Sequence, residues 1–142
     1  MKNFGLENLT DKELLGQLLC LEISGCKDRD EIISIIKENK PGAIYVNNFE
    51  SKEIKEITEI VNSVTKYPVL VVADVEHGPA GVFKDCDVEL PNPMAWGACD
   101  DESLVERAGE LTGKIARKLG VHLSLSPVVD INLNKNNPLV NI

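Results

Sequence analysis

The chain has 142 residues, 43% of them hydrophobic and 27% charged, which is enough for one domain with a buried core. Its net charge of -8 argues against a surface that binds nucleic acid or an anionic membrane. No apolar run is long enough to span a membrane, and the first residues contain no hydrophobic signal core. The four cysteines lack C-x-x-C spacing, so we expect a reduced, cytoplasmic protein.

Helical and strand patterns alternate along the chain. A capping box at Thr10 and Glu13 begins the first helix, and later helices are predicted to begin at Asp28 or Asp30, near Ser51, and at Asp100 or Asp101. Short apolar runs predict four strands, at residues 18–23, 43–46, 69–73 and 121–129. This alternation predicts an α/β fold with a parallel sheet. Periodicity leaves open whether the four units form a small open sheet or the first half of a (β/α) barrel.

Two further segments have distinct patterns. Residues 76–100 contain three prolines and three glycines after His77, so they are predicted to be an irregular functional loop or lid. The last helix carries an apolar stripe that we expect to be buried and that ends before Gly120. Its members are Leu104, Val105, Ala108, Leu111, Ile115 and Leu119.

Polar residues follow three of the predicted strands. Asn47, Asp74 and Asp130 should gather at one edge of the sheet, because the carboxyl ends of parallel strands lie together. Asp74 is followed at once by Glu76 and His77, although charge at the end of a buried strand is costly unless it is paired or used. A ligand site and a plain strand-end salt bridge both remain open from this stretch alone.

The sequence lacks the residue patterns of several common kinds of site, including metal, serine hydrolase and nucleotide-binding sites. The two histidines, His77 and His122, have no partners at metal-ligand spacing, and His122 is expected to be a satisfied core or interface residue. The sequence has no G-x-S-x-G elbow, P-loop or G-x-G-x-x-G. In an extended strand, Asp74 and Glu76 would share one face with Cα atoms about 6.5 Å apart. They could then approach the ~5–5.5 Å carboxyl separation of a retaining glycosidase, but such acidic pairs are common in acidic proteins.

Several motifs occur in the same order as in a known protein family. ADVEHGPAG at residues 73–81 is followed by LPNPMAWGA, by a helix, by PVVD and by an N-P turn. This series resembles the N-terminal barrel domain of glycoside hydrolase family 3, whose members have D-x-E-G-G, D-x-E-H-G or D-A-V-H-G at a strand end, then L-P-x-x-M-A-L-G-A and P-v-v-D. The opening LTDKELLGQLL also resembles the first helix of the family, so the resemblance covers nearly all of residues 1–142.

The resemblance implies a TIM-type (β/α) barrel, of which these four units would be the first half. It implies retaining hydrolysis of terminal β-linked sugars, with β-N-acetylglucosaminides favoured over β-glucosides and no metal or organic cofactor. Asp74 matches the aspartate that binds sugar hydroxyls in the subsite where cleavage occurs. Glu76 and His77 match positions beside it that shape the turn, and Asp130 matches an organiser of the loop after the fourth strand. All four are expected substrate-binding residues.

The resemblance also indicates what these residues lack. The family's sugar-binding arginine would follow Ile142, and its lysine–histidine pair, nucleophilic aspartate and acid/base residue come later still. We therefore expect residues 1–142 to form a partial domain that is truncated at its C-terminal end and inactive alone. It would pair with the missing half of the barrel or with itself. The alternative from another class is a non-catalytic α/β module that binds sugar or assembles with another chain.

Overall fold

The computed structural model describes residues 5–26 and 28–138, and it contains one parallel sheet in which sequence order equals spatial order. Strand β1 pairs with β2, β2 with β3, and β3 with β4, all in parallel. The strands are β1 (Cys20–Glu22), β2 (Ala43–Tyr45), β3 (Leu70–Ala73) and β4 (Leu123–Ser124). The helices are α1 (Asp11–Gly16), α2 (Arg29–Asn39), α3 (Ser51–Val64), α4 (Pro93–Cys99) and α5 (Glu102–Lys118). The predicted parallel α/β class is confirmed.

The consecutive strand order decides between the two architectures that periodicity left open. Right-handed crossovers that all advance in one direction place every connecting helix on the same face of the sheet. Ile44 and Val71 point to that face and are buried against the helices, together with Ile36 and Ile54. The sheet is therefore the arc of a (β/α) barrel, with helices outside, rather than a doubly wound sheet covered on both faces.

The opposite face of the sheet is the one that would line a barrel. Because partners in a parallel register share a face, Cys20, Ala43 and Leu70 lie together on it, as do Tyr45 and Val72 one step further along the strands. Leu70 is 46% exposed on it, whereas Val72, on the same face, is 1% exposed. We call it the open face.

Helix starts follow the predicted caps. Thr10 and Glu13 form the capping box of α1, and the Asp28 carboxylate accepts a hydrogen bond from the Glu31 amide at the start of α2. At α5 the cap is Asp101, which accepts from the Leu104 amide, while Asp100 adopts a left-handed conformation. Each cap satisfies an amide that the first helical turn leaves without a partner.

The segment predicted to be irregular contains structure. Pro79–Gly81 form a 3-10 turn, and Pro93 begins the short helix α4, which the prolines and Gly97 concealed in the sequence. The loop also packs back onto the fold, because the Asn48 amide donates to the Val82 carbonyl and the Phe83 side chain is buried in the core. The prediction of a wholly irregular stretch over residues 76–100 is wrong.

Two further predictions need correction. The expected stripe of α5 is not fully buried: Leu104, Val105 and Leu111 are exposed, and Ala108, Ile115 and Leu119 are partly buried. Ala116 is the buried residue of that helix, and Val105 and Ala108 line an apolar groove. The fourth strand is far shorter than residues 121–129. The last ladder bond to β3 comes from the Leu125 amide, which donates to the Ala73 carbonyl. Beyond it the Val75 amide donates to the Ser126 hydroxyl, and Pro127 has no amide to donate.

Candidate functional site

The carboxyl edge, where the four strands end, brings polar residues from neighbouring strands together. Tyr45 is the last residue of β2, and its hydroxyl donates a 3.0 Å hydrogen bond to Oδ2 of Asp74, which follows β3. Tyr45 pairs in register with Val72, two residues before Asp74, so both side chains belong to the open face. Asp74 is exposed there. The expectation that Asp74 lies at the edge where strands end agrees with this placement.

Hydroxyl groups at the same edge bind the strand ends to one another. The Asn47 amide, just beyond β2, donates to Ser24 Oγ, just beyond β1, at 3.1 Å. The Val75 amide donates to Ser126 Oγ at 3.0 Å. These bonds satisfy backbone amides that the short strands leave outside the ladder, and they fix the loops around Asp74.

The environment at this edge is acidic. Burial raises the pKa of Tyr45 to about 12, and its hydrogen bond to Asp74 and the nearby charges of Asp74, Glu22 and Glu76 add to the shift. The phenol therefore remains protonated, and it remains a hydrogen-bond donor to Asp74, at any pH that the protein meets in a cell. No cluster of three or more potential metal ligands occurs among the described residues.

Glu76 and His77 lie in a turn beyond the strand. The Gly78 amide donates to the Val75 carbonyl at 3.1 Å, and Gly78 has a φ of 78°, a conformation that side-chain-bearing residues rarely adopt. The spacing rule of an extended strand therefore does not apply to Asp74 and Glu76. His77 is half-buried, and its Nδ1 is a buried atom without a partner among the described residues. Both remain expected, untested substrate-binding residues.

Asp130 lies in an exposed irregular segment after β4. Its neighbours Val129 and Ile131 are 85% and 79% exposed. Asn47 and Asp74 follow paired strands, and the gathering of Asp130 with them stays a prediction.

His122 makes the hydrogen bonds expected of a satisfied histidine, but it is a surface residue whose ring is only partly buried and not a core residue. Its Nδ1 accepts a 3.0 Å hydrogen bond from the Val71 amide, and its own amide donates to the Val71 carbonyl, so it joins β4 to β3 twice. Burial, together with the nearby charge of Arg117, lowers the pKa of His122, which favours the neutral imidazole that this acceptor role requires.

An apolar groove of about 530 Å3 runs along α5 beside β4. Its lining includes Trp96 of α4, the small residues Ala108 and Gly113 of α5, and Leu123 of β4. Glu76 lies at the groove, whereas Asp74 does not line it. The groove therefore adjoins the carboxyl edge, since Glu76 and Ser126 line it, but it does not include Asp74. No helix in the described part of the chain has both the length and the apolar character to cross a bilayer.

Residues 10–141 match the family described as the glycosyl hydrolase family 3 N-terminal domain. The chain belongs to this family. It is 28% identical over 136 residues to a β-N-acetylglucosaminidase/β-glucosidase of Cellulomonas fimi, covering 96% of this chain and 24% of that protein. It is 27% identical over 131 residues to a β-hexosaminidase of Methylobacillus flagellatus, covering 86% of this chain and 37% of that protein.

Solved structures give the same fold for this family 3 chain. A β-glucoside phosphorylase, BglX, aligns with a TM-score of 0.80 at 30% identity, covering 96% of this chain and 26% of its own. A family 3 β-N-acetylglucosaminidase from Paenibacillus sp. aligns with a TM-score of 0.80 at 28% identity, covering 93% of this chain and 26% of that protein. The chain thus spans about a quarter of the length of these structures. The expected barrel architecture is confirmed.

Tyr45 is the site residue that the sequence did not predict. It lies at the end of a strand like Asp74, but its importance depends on the register between β2 and β3, which a single sequence does not display. The only signal was an aromatic residue with a hydroxyl group at the end of a short strand.

Proposed function

We propose that this chain forms part of the sugar-binding subsite of a retaining β-glycosidase that acts on terminal β-linked sugars, with β-N-acetylglucosaminides preferred to β-glucosides. The observation that carries the proposal is Asp74, exposed at the carboxyl edge of a family 3 barrel arc and held there by Tyr45. A carboxylate accepts charge-assisted hydrogen bonds from sugar hydroxyls, which a neutral amide would make more weakly. The relative from Cellulomonas fimi is named for both activities.

The reaction itself requires groups beyond these 142 residues. In a retaining mechanism one carboxylate attacks the anomeric carbon, while an acid protonates the leaving oxygen and later activates water. No position here matches the family nucleophile or acid/base, so we infer that residues outside this sequence supply both. The role left to Asp74 is to bind the sugar ring as it distorts toward the transition state.

The main test uses the full-length product of the gene with aryl β-N-acetylglucosaminides and aryl β-glucosides. Asp74→Ala should lose about 2–4 kcal/mol of transition-state stabilisation, roughly 30- to 1000-fold in kcat/KM. The matched control is Asp87→Ala, which removes an exposed carboxylate of the loop before α4 and should leave kcat/KM unchanged. An unchanged kcat/KM in Asp74→Ala would show that Asp74 is only a strand-end charge.

The 142-residue chain provides a second test. We expect no turnover of either aryl glycoside, because the reacting carboxylates are absent. Measurable hydrolysis that disappears in Asp74→Asn or Glu76→Gln would contradict this and would make the local acidic pair catalytic.

One comparison favours phosphate, in place of water, as the acceptor of the glycosyl group, since the BglX structure is that of a β-glucoside phosphorylase. Adding inorganic phosphate to the full-length assay separates the two reactions. A sugar phosphate as product identifies phosphorolysis, and free sugar at an unchanged rate identifies hydrolysis. If the full-length protein binds sugar without turnover in either buffer, the non-catalytic module is the correct alternative.

A further inference from the structure

The contact between Tyr45 and Asp74 has no counterpart elsewhere at the carboxyl edge. Within residues 5–26 and 28–138, Tyr45 is the one side chain that donates a hydrogen bond to the Asp74 carboxylate. The hydroxyls of Ser24, Ser124 and Ser126 at this edge accept from backbone amides and stabilise loops. The Tyr45 bond instead acts on a carboxylate that is exposed to solvent.

The bond occupies one oxygen of the carboxylate and leaves the other available. Tyr45 donates to Oδ2, so Oδ1 of Asp74 keeps both of its lone-pair sites for a bound hydroxyl, whereas Oδ2 has already accepted one hydrogen bond. Without the phenol, the exposed side chain would rotate freely, and ordering it on binding would cost conformational entropy. A tyrosine ring is well suited to hold it, because only two torsion angles need to be fixed.

The chemical nature of the donor also matters. A lysine or arginine in place of Tyr45 would orient the carboxylate but would also neutralise much of its charge. The phenol is neutral, and its pKa is raised to about 12 by burial and by Asp74, Glu22 and Glu76, so it orients Asp74 while the full negative charge remains. That charge is what makes a hydrogen bond to a sugar hydroxyl strong.

We propose that Tyr45 is a positioning residue, which holds the Asp74 carboxylate with Oδ1 directed to a sugar hydroxyl. This inference rests on the proposed function, because it assigns Tyr45 a part in the same sugar subsite. Tyr45 does not itself need to contact the sugar. Its effect on activity should therefore pass entirely through Asp74.

The test is a double-mutant cycle on the full-length protein with Tyr45→Phe and Asp74→Asn. Losing one hydrogen bond should lower kcat/KM of Tyr45→Phe roughly 3- to 10-fold. In the Asp74→Asn background, the added Tyr45→Phe change should alter kcat/KM less than about twofold, because the group that it positions is already impaired. The control Tyr67→Phe removes the hydroxyl of a buried tyrosine before β3 and should leave kcat/KM unchanged.

The outcomes separate this inference from the proposed function. If Asp74→Asn is impaired but Tyr45→Phe is fully active, or if the two losses simply multiply, Tyr45 does not act through Asp74 and the inference is wrong, while the proposed function stands. If Asp74→Asn is fully active, both fail. Alkaline titration of the phenol gives a readout without activity: with Tyr45→Phe used to assign the signal, Asp74→Asn should lower the pKa of Tyr45. An unchanged pKa would contradict the contact itself.

Discussion

Lys66 Nζ lies 3.0 Å from Glu13 Oε2, which joins helix α1 to the segment that leads into β3. The same carboxylate accepts from the Thr10 amide at 2.9 Å and lies 3.7 Å from Lys40 Nζ. This cluster is at the edge where the strands begin, opposite the edge that holds Asp74. The Thr10 amide, and then Lys66, hold the pKa of the buried Glu13 at about 2, below its ordinary value of 4.5.

We expect Glu13→Gln to lower the stability of the fold, by an amount that depends on pH. Because the folded-state pKa of Glu13 is depressed, its stabilising contribution is fully present above pH 4.5 and is lost as the pH falls toward 2. Urea unfolding of the wild type and Glu13→Gln should therefore show midpoints that differ at neutral pH and converge in acid. Glu59→Gln, on the exposed face of α3, is the control and should show little change. A constant difference at every pH would contradict the assignment.

His122 should make the attachment of β4 sensitive to acid. Replacing it with alanine leaves the Val71 amide without its acceptor, which we expect to cost about 1–3 kcal/mol. Since the pKa of His122 is lowered from 6.5, its contribution is present above pH 6.5 and is lost as the pH falls through the lower folded-state pKa. Amide exchange of Val71 is the direct measurement. Protection that stays equal in the wild type and His122→Ala at neutral pH would exclude this role.

Two helical glycines should respond in opposite ways to alanine. A Cβ on Gly16 would lie 2.2 Å from the Lys40 carbonyl oxygen, because the end of α1 contacts the backbone before β2, so Gly16→Ala should destabilise the protein. A Cβ on Gly113 of α5 would have no heavy atom within 4 Å, so Gly113→Ala should stabilise it by roughly 0.5–1 kcal/mol. Thermal unfolding of the two variants compares them directly. A stabilised Gly16→Ala would show that α1 and β2 are not in close contact.

The two faces of the sheet should differ in their tolerance of polar or smaller residues. Ile44 is completely buried on the helix-covered face, and Ile44→Ala should cost about 2–5 kcal/mol. Leu70, on the open face of the adjacent strand, is 46% exposed, so Leu70→Ser should cost little in stability. Chemical denaturation of the 142-residue chain measures both. Equal losses would mean that the open face is covered in solution.

We also expect the 142-residue chain to associate when it is expressed alone. Within the described residues, strands β1 and β4 each have one unpaired edge, and exposed apolar side chains such as Leu70 and Leu123 lie on the open face. Light scattering at micromolar concentration should show a mass above that of a monomer, and Leu70→Ser with Leu123→Ser should reduce it. A sharp monomer with cooperative unfolding would contradict the prediction.

Local patterns predicted the parts of the fold that local forces determine. The capping box of Thr10 and Glu13, the run before Asp74 and the alternation of helix and strand needed only neighbouring residues. Helix α4 was not predicted, because Pro93 suits the first position of a helix as well as it suits a turn. The exposure of the α5 stripe and the bond between Tyr45 and Asp74 were not predicted for another reason. Both depend on which element lies beside which, and a helical or strand period does not contain that information.

The identity of sequence order and spatial order in the sheet has a consequence for how the chain folds. Each strand finds its partner in the unit made just before it, so β2 can pair as soon as it has left the ribosome, and no later strand has to enter between two earlier ones. Pairing with the preceding unit gives a lower contact order than pairing that skips a unit, although parallel strands still pair across long connections, which slows folding. The sheet can therefore assemble in the order of its synthesis, because each new strand from β2 to β4 adds to the edge of the strand before it.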